Sequence, residues 1–193
     1  MLYWMKQSVL ITTLLFPTLA PLLLAGDSPS PSPASGFQAD FLGQINWVEK
    51  EIVDLEQAMP QEKFTWRPAE GVRSVSEVYM HMAFSNYLLF SFMGYEPPAG
   101  ITLTGDIMAD AKNWEATTTD KGKIADILRK SMDHVRATAP QVTDLEKKVD
   151  FFGQSLTLRS MMMNVLEHLH EHLGQSIAYA RMNGVVPPWS AKQ

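Results

Sequence analysis

The spacing of apolar residues constrains the fold of this chain more than any other feature of its sequence. From residue 37 they recur at steps of four and three: Phe37, Phe41, Ile45, Val48, Ile52, Leu55 and Met59. These steps place the side chains on one face of an α-helix, which is predicted to end before Pro60. A helix with so regular an apolar stripe requires partner helices to cover it.

Three further helices are predicted from their apolar periodicity and their end signals. They span residues 74–93, about 120–139 and about 158–183, with an S-x-x-E capping box opening the first and a glycine following the last. The roughly two dozen residues after the second helix lack strong periodicity, so they form either a crossover or a functional cover. Residues 148–152 are compatible with an extended segment. The pattern predicts an all-α fold, a four-helix bundle.

The first 36 residues are predicted to lie outside this fold. Residues 1–25 carry one charged side chain, Lys6, followed by an apolar run, as in a secretory signal peptide. The alternative is an N-terminal membrane anchor, but Pro17 and Pro21 interrupt the run and no basic cluster follows it. Residues 26–36 alternate Ser and Pro, which predicts a disordered linker. We therefore expect an exported domain at 37–193, periplasmic or extracellular, with no stable membrane span after cleavage.

Charge and composition exclude several classes of function. The formal net charge is −5 and there is no run of Lys or Arg, so nucleic acid is not an expected partner. The chain has no cysteine, which excludes disulfides, thiolate metal sites and a cysteine nucleophile. Any metal ion must therefore be held by histidine and carboxylate side chains.

The five histidines are the residues most informative about chemistry. His168 and His172 lie one turn apart on the inward-facing side of the last predicted helix, whereas His170 points to nearly the opposite side. On the second helix, His81 also falls on an inward-facing row. His134 lies at the edge of its helix stripe and is predicted to be a surface residue. Three imidazoles should therefore point into one bundle interior.

Three inward-facing imidazoles need partners, because an unpaired buried polar group costs roughly 1–3 kcal/mol. One shared cation satisfies all three, and the i, i+4 pair with a third histidine from a facing helix leaves coordination positions open. The alternative is that they are core histidines paired with Glu171, Gln175 or the backbone, and spacing alone leaves both interpretations open. Glu171 and Gln175 flank the pair, where they could orient the imidazoles or a bound water.

Several motifs together resemble the DinB-like (damage-inducible) superfamily. They are Trp66-Arg-Pro68, the capped Ser74-Val-Ser-Glu77 helix with His81 in it, His168-Leu-His-Glu-His172-Leu-Gly-Gln175, Ala178-Tyr-Ala-Arg181 and Asn183-Gly184. The resemblance covers about residues 37–189. It implies a bundle of up-down-down-up topology with the long connection between helices two and three. It also implies His81, His168 and His172 as ligands of one divalent metal, zinc or nickel foremost, with iron or manganese as alternatives.

The resemblance implies function less directly. Characterised relatives include thiol S-transferases and a metal-dependent maleylpyruvate isomerase, but an exported domain would meet few of the usual cellular thiols. We predict a metal-dependent hydrolase or (thiol) transferase that acts on a small-molecule substrate through a metal-activated water or thiol. The competing hypothesis is a non-catalytic binding module for a small molecule or a protein partner. Pairing of bundles into a homodimer is compatible with either.

Overall fold

The computed structural model describes residues 36–190, which form five α-helices and one β-hairpin. The elements are α1 (Phe37–Ala58), α2 (Val75–Phe92), α3 (Ile107–Glu115), α4 (Lys121–Thr138), β1 (Lys148–Phe151), β2 (Gln154–Thr157) and α5 (Leu158–Met182). The predicted signal peptide, and the predicted linker up to residue 35, lie outside the described residues. Within 36–190, no helix is both long and apolar enough to cross a bilayer.

Local signals in the sequence set the ends of the helices. The Ser74 hydroxyl accepts a hydrogen bond from the Glu77 backbone N–H at 3.3 Å, and the Glu77 carboxylate accepts one from the Ser74 N–H at 2.7 Å. The predicted capping box is therefore confirmed. At α5, Thr157 accepts from the Ser160 N–H at 3.1 Å, and Gly184 adopts the left-handed φ of 75° that terminates the helix.

The apolar stripes are buried as their spacing predicts. In α1 the buried apolar residues are Phe41, Ile45, Val48, Ile52 and Leu55, and this helix packs mainly against α5 and also against α4. The second helix is buried around most of its circumference, because α3, α4 and α5 all pack against it. The core therefore surrounds α2, which also carries His81.

The connection between the second and third predicted helices contains α3, which the sequence analysis did not predict. Asp106 caps it by accepting from the Ala109 N–H at 3.1 Å. Trp114 fixes it to α2, because the indole N–H donates to the Met80 carbonyl at 3.1 Å and the ring packs against Tyr87. A helix of nine residues is too short to show a clear apolar period. This short helix therefore covers part of α2 beside His81.

The predicted extended segment is the first strand of the hairpin. The two strands pair antiparallel, with Val149 opposite Leu156, through a turn in which Phe152 and Gly153 have φ of 53° and 80°. Positive φ at both central residues is the geometry that two-residue hairpins favour. The second strand ends at Thr157, the N-cap of α5, so the hairpin leads directly into the helix that carries His168 and His172.

Candidate metal centre

Three of the predicted site residues meet at one point between α2 and α5. One ring nitrogen from each of His81, His168 and His172 lies within 4.8 Å of the other two. The Nε2 atom of His168 is 3.1 Å from Nε2 of His81 and 3.2 Å from Nε2 of His172. The helix spacing that predicted a shared interior thus brings three Nε2 atoms to a common centre.

The outer nitrogen of His81 is held by a residue from α3. Its Nδ1 lies 2.8 Å from Oε1 of Glu115, and Oε2 of the same carboxylate accepts from Nε of Arg73 at 3.0 Å. Burial opposes ionisation of Glu115, but the hydrogen bonds from His81 and Arg73 outweigh it and hold the pKa of this carboxyl below its usual value. An ionised carboxylate only accepts hydrogen bonds, so His81 carries its proton on Nδ1.

The outer nitrogen of His172 is held in the same manner from its own helix. Its Nδ1 lies 2.8 Å from Oε1 of Gln175, and Nε2 of that amide donates to the Tyr179 hydroxyl at 2.9 Å. The Tyr179 hydroxyl in turn donates to the Arg73 carbonyl at 3.1 Å. This direction of donation leaves Oε1 of Gln175 as the acceptor, so His172 also carries its proton on Nδ1.

The two arms join at Arg73 into one continuous hydrogen-bonded chain that begins at His81 and ends at His172. Its members, in order, are His81, Glu115, Arg73, Tyr179, Gln175 and His172. Trp66 packs edge-on against Tyr179 with ring centroids 5.3 Å apart. The chain orients two imidazoles so that Nε2 of each faces the common centre. Such outer partners fix both the tautomer and the ring plane of histidines that bind metals.

The third histidine differs from the other two in its outer contacts. Nδ1 of His168 is buried and has no hydrogen-bond partner among the described residues. Burial, together with the neighbouring His172, His81 and Arg73, lowers the pKa of His168 to about 3. Burial likewise lowers the pKa of His172. Both imidazoles are therefore neutral near pH 7, the form that binds metal ions.

The donor set fits a divalent cation. Nε2 of His168 lies within hydrogen-bond distance of Nε2 of both His81 and His172, and a single proton on His168 cannot give each of them a full hydrogen bond. A cation at the centre would accept a lone pair from all three Nε2 atoms at once. The three histidines could therefore hold a metal ion.

The remaining predicted residues take different positions. Gln175 contacts His172, whereas Glu171 is exposed and has no hydrogen bond to the three histidines. His170 is exposed, as predicted, and its Nδ1 lies 2.9 Å from the Leu166 carbonyl.

The surface prediction for His134 is wrong. Its ring is half-buried against Tyr87 and Phe90, with centroids 5.2 and 5.8 Å away, because this side of α4 faces the aromatic residues of α2.

Sequence reasoning missed the hydroxyl of Tyr179 and both charged members of the hydrogen-bonded chain, Glu115 and Arg73. Neither charged residue lies on a predicted helix face, and their partners are distant in the sequence: 34 residues separate Glu115 from His81, and 42 separate it from Arg73. One residue could have indicated α3 from the sequence: Asp106, its N-cap, lies nine positions before Glu115. It stands in the connection that was predicted to be either a crossover or a functional cover.

Comparison with known proteins identifies the family. The model of the DinB superfamily matches residues 44–176, so the chain belongs to this superfamily and the predicted resemblance is confirmed. A DinB-like protein from Bacillus cereus ATCC 10987, known from a crystal structure, is 20% identical over 79% of this chain and 98% of its own, with a TM-score of 0.64. That likeness shows a shared fold.

A DinB-like protein from Bacillus subtilis, YjoA, is also similar to this chain. It is 22% identical over 81% of this chain and 99% of its own, with a TM-score of 0.44. No curated protein matches the chain.

Proposed function

We propose that this protein binds one divalent cation through His81, His168 and His172, with zinc or nickel favoured over iron or manganese. The observation that carries the proposal is the convergence of three Nε2 atoms, two of them freed for coordination by protons held on Nδ1. Imidazole suits zinc and nickel, whereas manganese prefers oxygen ligands. Three protein ligands also leave coordination positions open to a small molecule.

We further propose that the protein is a metal-dependent enzyme, a hydrolase or a (thiol) transferase. When bound at such a site, a divalent cation lowers the pKa of a coordinated water or thiol and so supplies a nucleophile near pH 7. Glu115 and Gln175 then act as positioning residues, because they hold the imidazoles of His81 and His172. Glu171 is proposed as an exposed group at the edge of the metal centre, where its negative charge favours the protonated form of His172.

The overall topology and the cellular location belong to the same proposal. We propose an up-down-down-up bundle of the four long helices, in which α1 packs against α5 and α2 against α4, with α3 carried in the long connection. Residues 1–25 are proposed to direct export and residues 26–36 to form a flexible tether. Amino-terminal sequencing of the protein from cell fractions tests this, since a start near residue 26 in an exported fraction supports cleavage.

Elemental analysis tests the metal proposal. The full chain, purified without a metal-binding tag, should contain about one equivalent of a transition metal, and His168→Ala should lose it. His170→Ala is the matched control, since it removes an exposed imidazole from the same helix. A folded protein that takes up none of the four metals would refute the proposal. The three histidines would then be paired core residues and the protein a metal-free binding module.

A further inference from the structure

A polar groove opens beside the proposed metal centre. Its volume is about 680 Å³, and the residues that line it include Arg67, Arg73, Glu77, Lys112, Glu115 and Gln175. Glu115 and Gln175 are the residues that hold the outer nitrogens of two histidines. The groove therefore lies directly against the hydrogen-bonded chain that surrounds the centre, and a molecule that reaches the centre from this side must pass its charged groups.

The two carboxylates of the groove already have partners. Glu115 accepts from His81 through one oxygen and from Arg73 through the other. Glu77 accepts from the Ser74 backbone and from Arg67, whose guanidinium also donates to the Val72 carbonyl at 2.8 Å. Each carboxylate is thus paired with an arginine of the groove, Glu115 with Arg73 and Glu77 with Arg67, so the one positive charge left over is that of Lys112.

The positively charged groups of the groove are only partly engaged. Arg73 uses Nε to bind Glu115, but its Nη1 and Nη2 have no hydrogen-bond partner within 36–190, and neither has Nζ of Lys112. Arg73 is held at both ends, because its backbone carbonyl accepts from the Tyr179 hydroxyl and its Nε donates to Glu115.

We infer that the substrate of the metal centre carries an oxyanion, a carboxylate or a phosphate, which binds to the free Nη groups of Arg73 and to Lys112. The inference rests on the proposed metal-dependent function and specifies its substrate class. A guanidinium with two free Nη groups matches the two oxygens of such an anion. Because Arg73 is hydrogen-bonded to Glu115, and Glu115 to His81, the anion is held at a fixed place relative to the histidines.

Two thiols of the same chain length, one ending in a carboxylate and the other in a hydroxyl, test this inference on the cobalt-loaded full chain. The anionic probe is 3-mercaptopropionate and the neutral probe is 3-mercapto-1-propanol, and sulfur-to-cobalt charge-transfer absorption reports the binding of each. The test variant is Lys112→Glu, because Lys112 takes no part in the hydrogen-bonded chain. The charge-matched control is Lys130→Glu on α4, an exposed lysine that does not line the groove.

The inference predicts that the loss of affinity depends both on which thiol is bound and on which lysine is replaced. Lys112→Glu should weaken binding of the anionic thiol about tenfold at low salt and change that of the neutral thiol less than about twofold, because the new carboxylate repels an anion in the groove but not an uncharged group. Lys130→Glu should leave both affinities unchanged. Equal effects of the two variants, or equal effects on the two thiols, would overturn the inference while leaving the metal site intact. A chain that retains no cobalt would overturn the proposed metal function and this inference with it.

Discussion

The carboxylate of Glu115 should control metal affinity although it lies outside the proposed coordination sphere. In Glu115→Gln the new amide can accept from either His81 or Arg73, but its NH₂ group then faces the other donor. The residue is 9% exposed, so water cannot readily replace the lost contact. A hydrogen bond to a charged acceptor contributes about 1.5–3 kcal/mol and one to a neutral acceptor about 0.5–1.5 kcal/mol.

This difference of about 1–2 kcal/mol corresponds to roughly a tenfold weaker affinity for zinc, at the lower end of the range for residues that support metal ligands. The affinity is measured by competition with a chromophoric chelator at pH 7. Glu96→Gln makes the same chemical change at an exposed position and should have no effect. If Glu115→Gln is folded and binds zinc as tightly as the parent protein, the proposed role of the hydrogen-bonded chain is refuted.

Three further predictions concern stability, measured by urea denaturation with metal removed by a chelator. His168 has a pKa of 6.5 when unfolded and about 3 when folded, so the unfolded chain binds more protons between these values and stability should fall as the pH drops from 6.5 towards 3. His168→Asn should make the free energy of unfolding less dependent on pH, and an unchanged pH dependence would contradict the low pKa of His168. Burial raises the pKa of Glu56 to about 7, although the positive charges of Lys121 and Arg129 oppose this shift. The stability that depends on a protonated Glu56 is therefore fully present below pH 4.5 and is lost as the pH rises through 7. Glu56→Gln should therefore stabilise the protein by about 3 kcal/mol more at pH 8 than at pH 4.5, and an equal effect at both would refute a buried carboxylate. Ser74→Ala should cost about 1 kcal/mol at any pH between 6 and 8 through loss of the cap, and a cost near zero would show that the capping box does not stabilise α2.

The parts of the fold that the sequence predicts well are those governed by neighbours along the chain. Helix periodicity depends on contacts three and four residues apart, and caps such as Ser74 and Thr157 bond backbone groups within the same turn. The same local geometry places His168 and His172 on one face of α5. For this reason the histidines could be selected, and the superfamily recognised, before any tertiary contact was known.

The tertiary structure alone decides how those histidines are held. The partner of His81 is Glu115 from α3, and that helix takes its position from the packing of Trp114 against α2. The burial of His134 depends in the same way on which face of α4 meets α2.

Contacts between residues far apart in the sequence leave no periodic signal, because their geometry depends on how whole helices pack. The sequence therefore determined which side chains can reach a common interior. Only the packed structure decided which nitrogen each imidazole presents there, and which charges lie beside it.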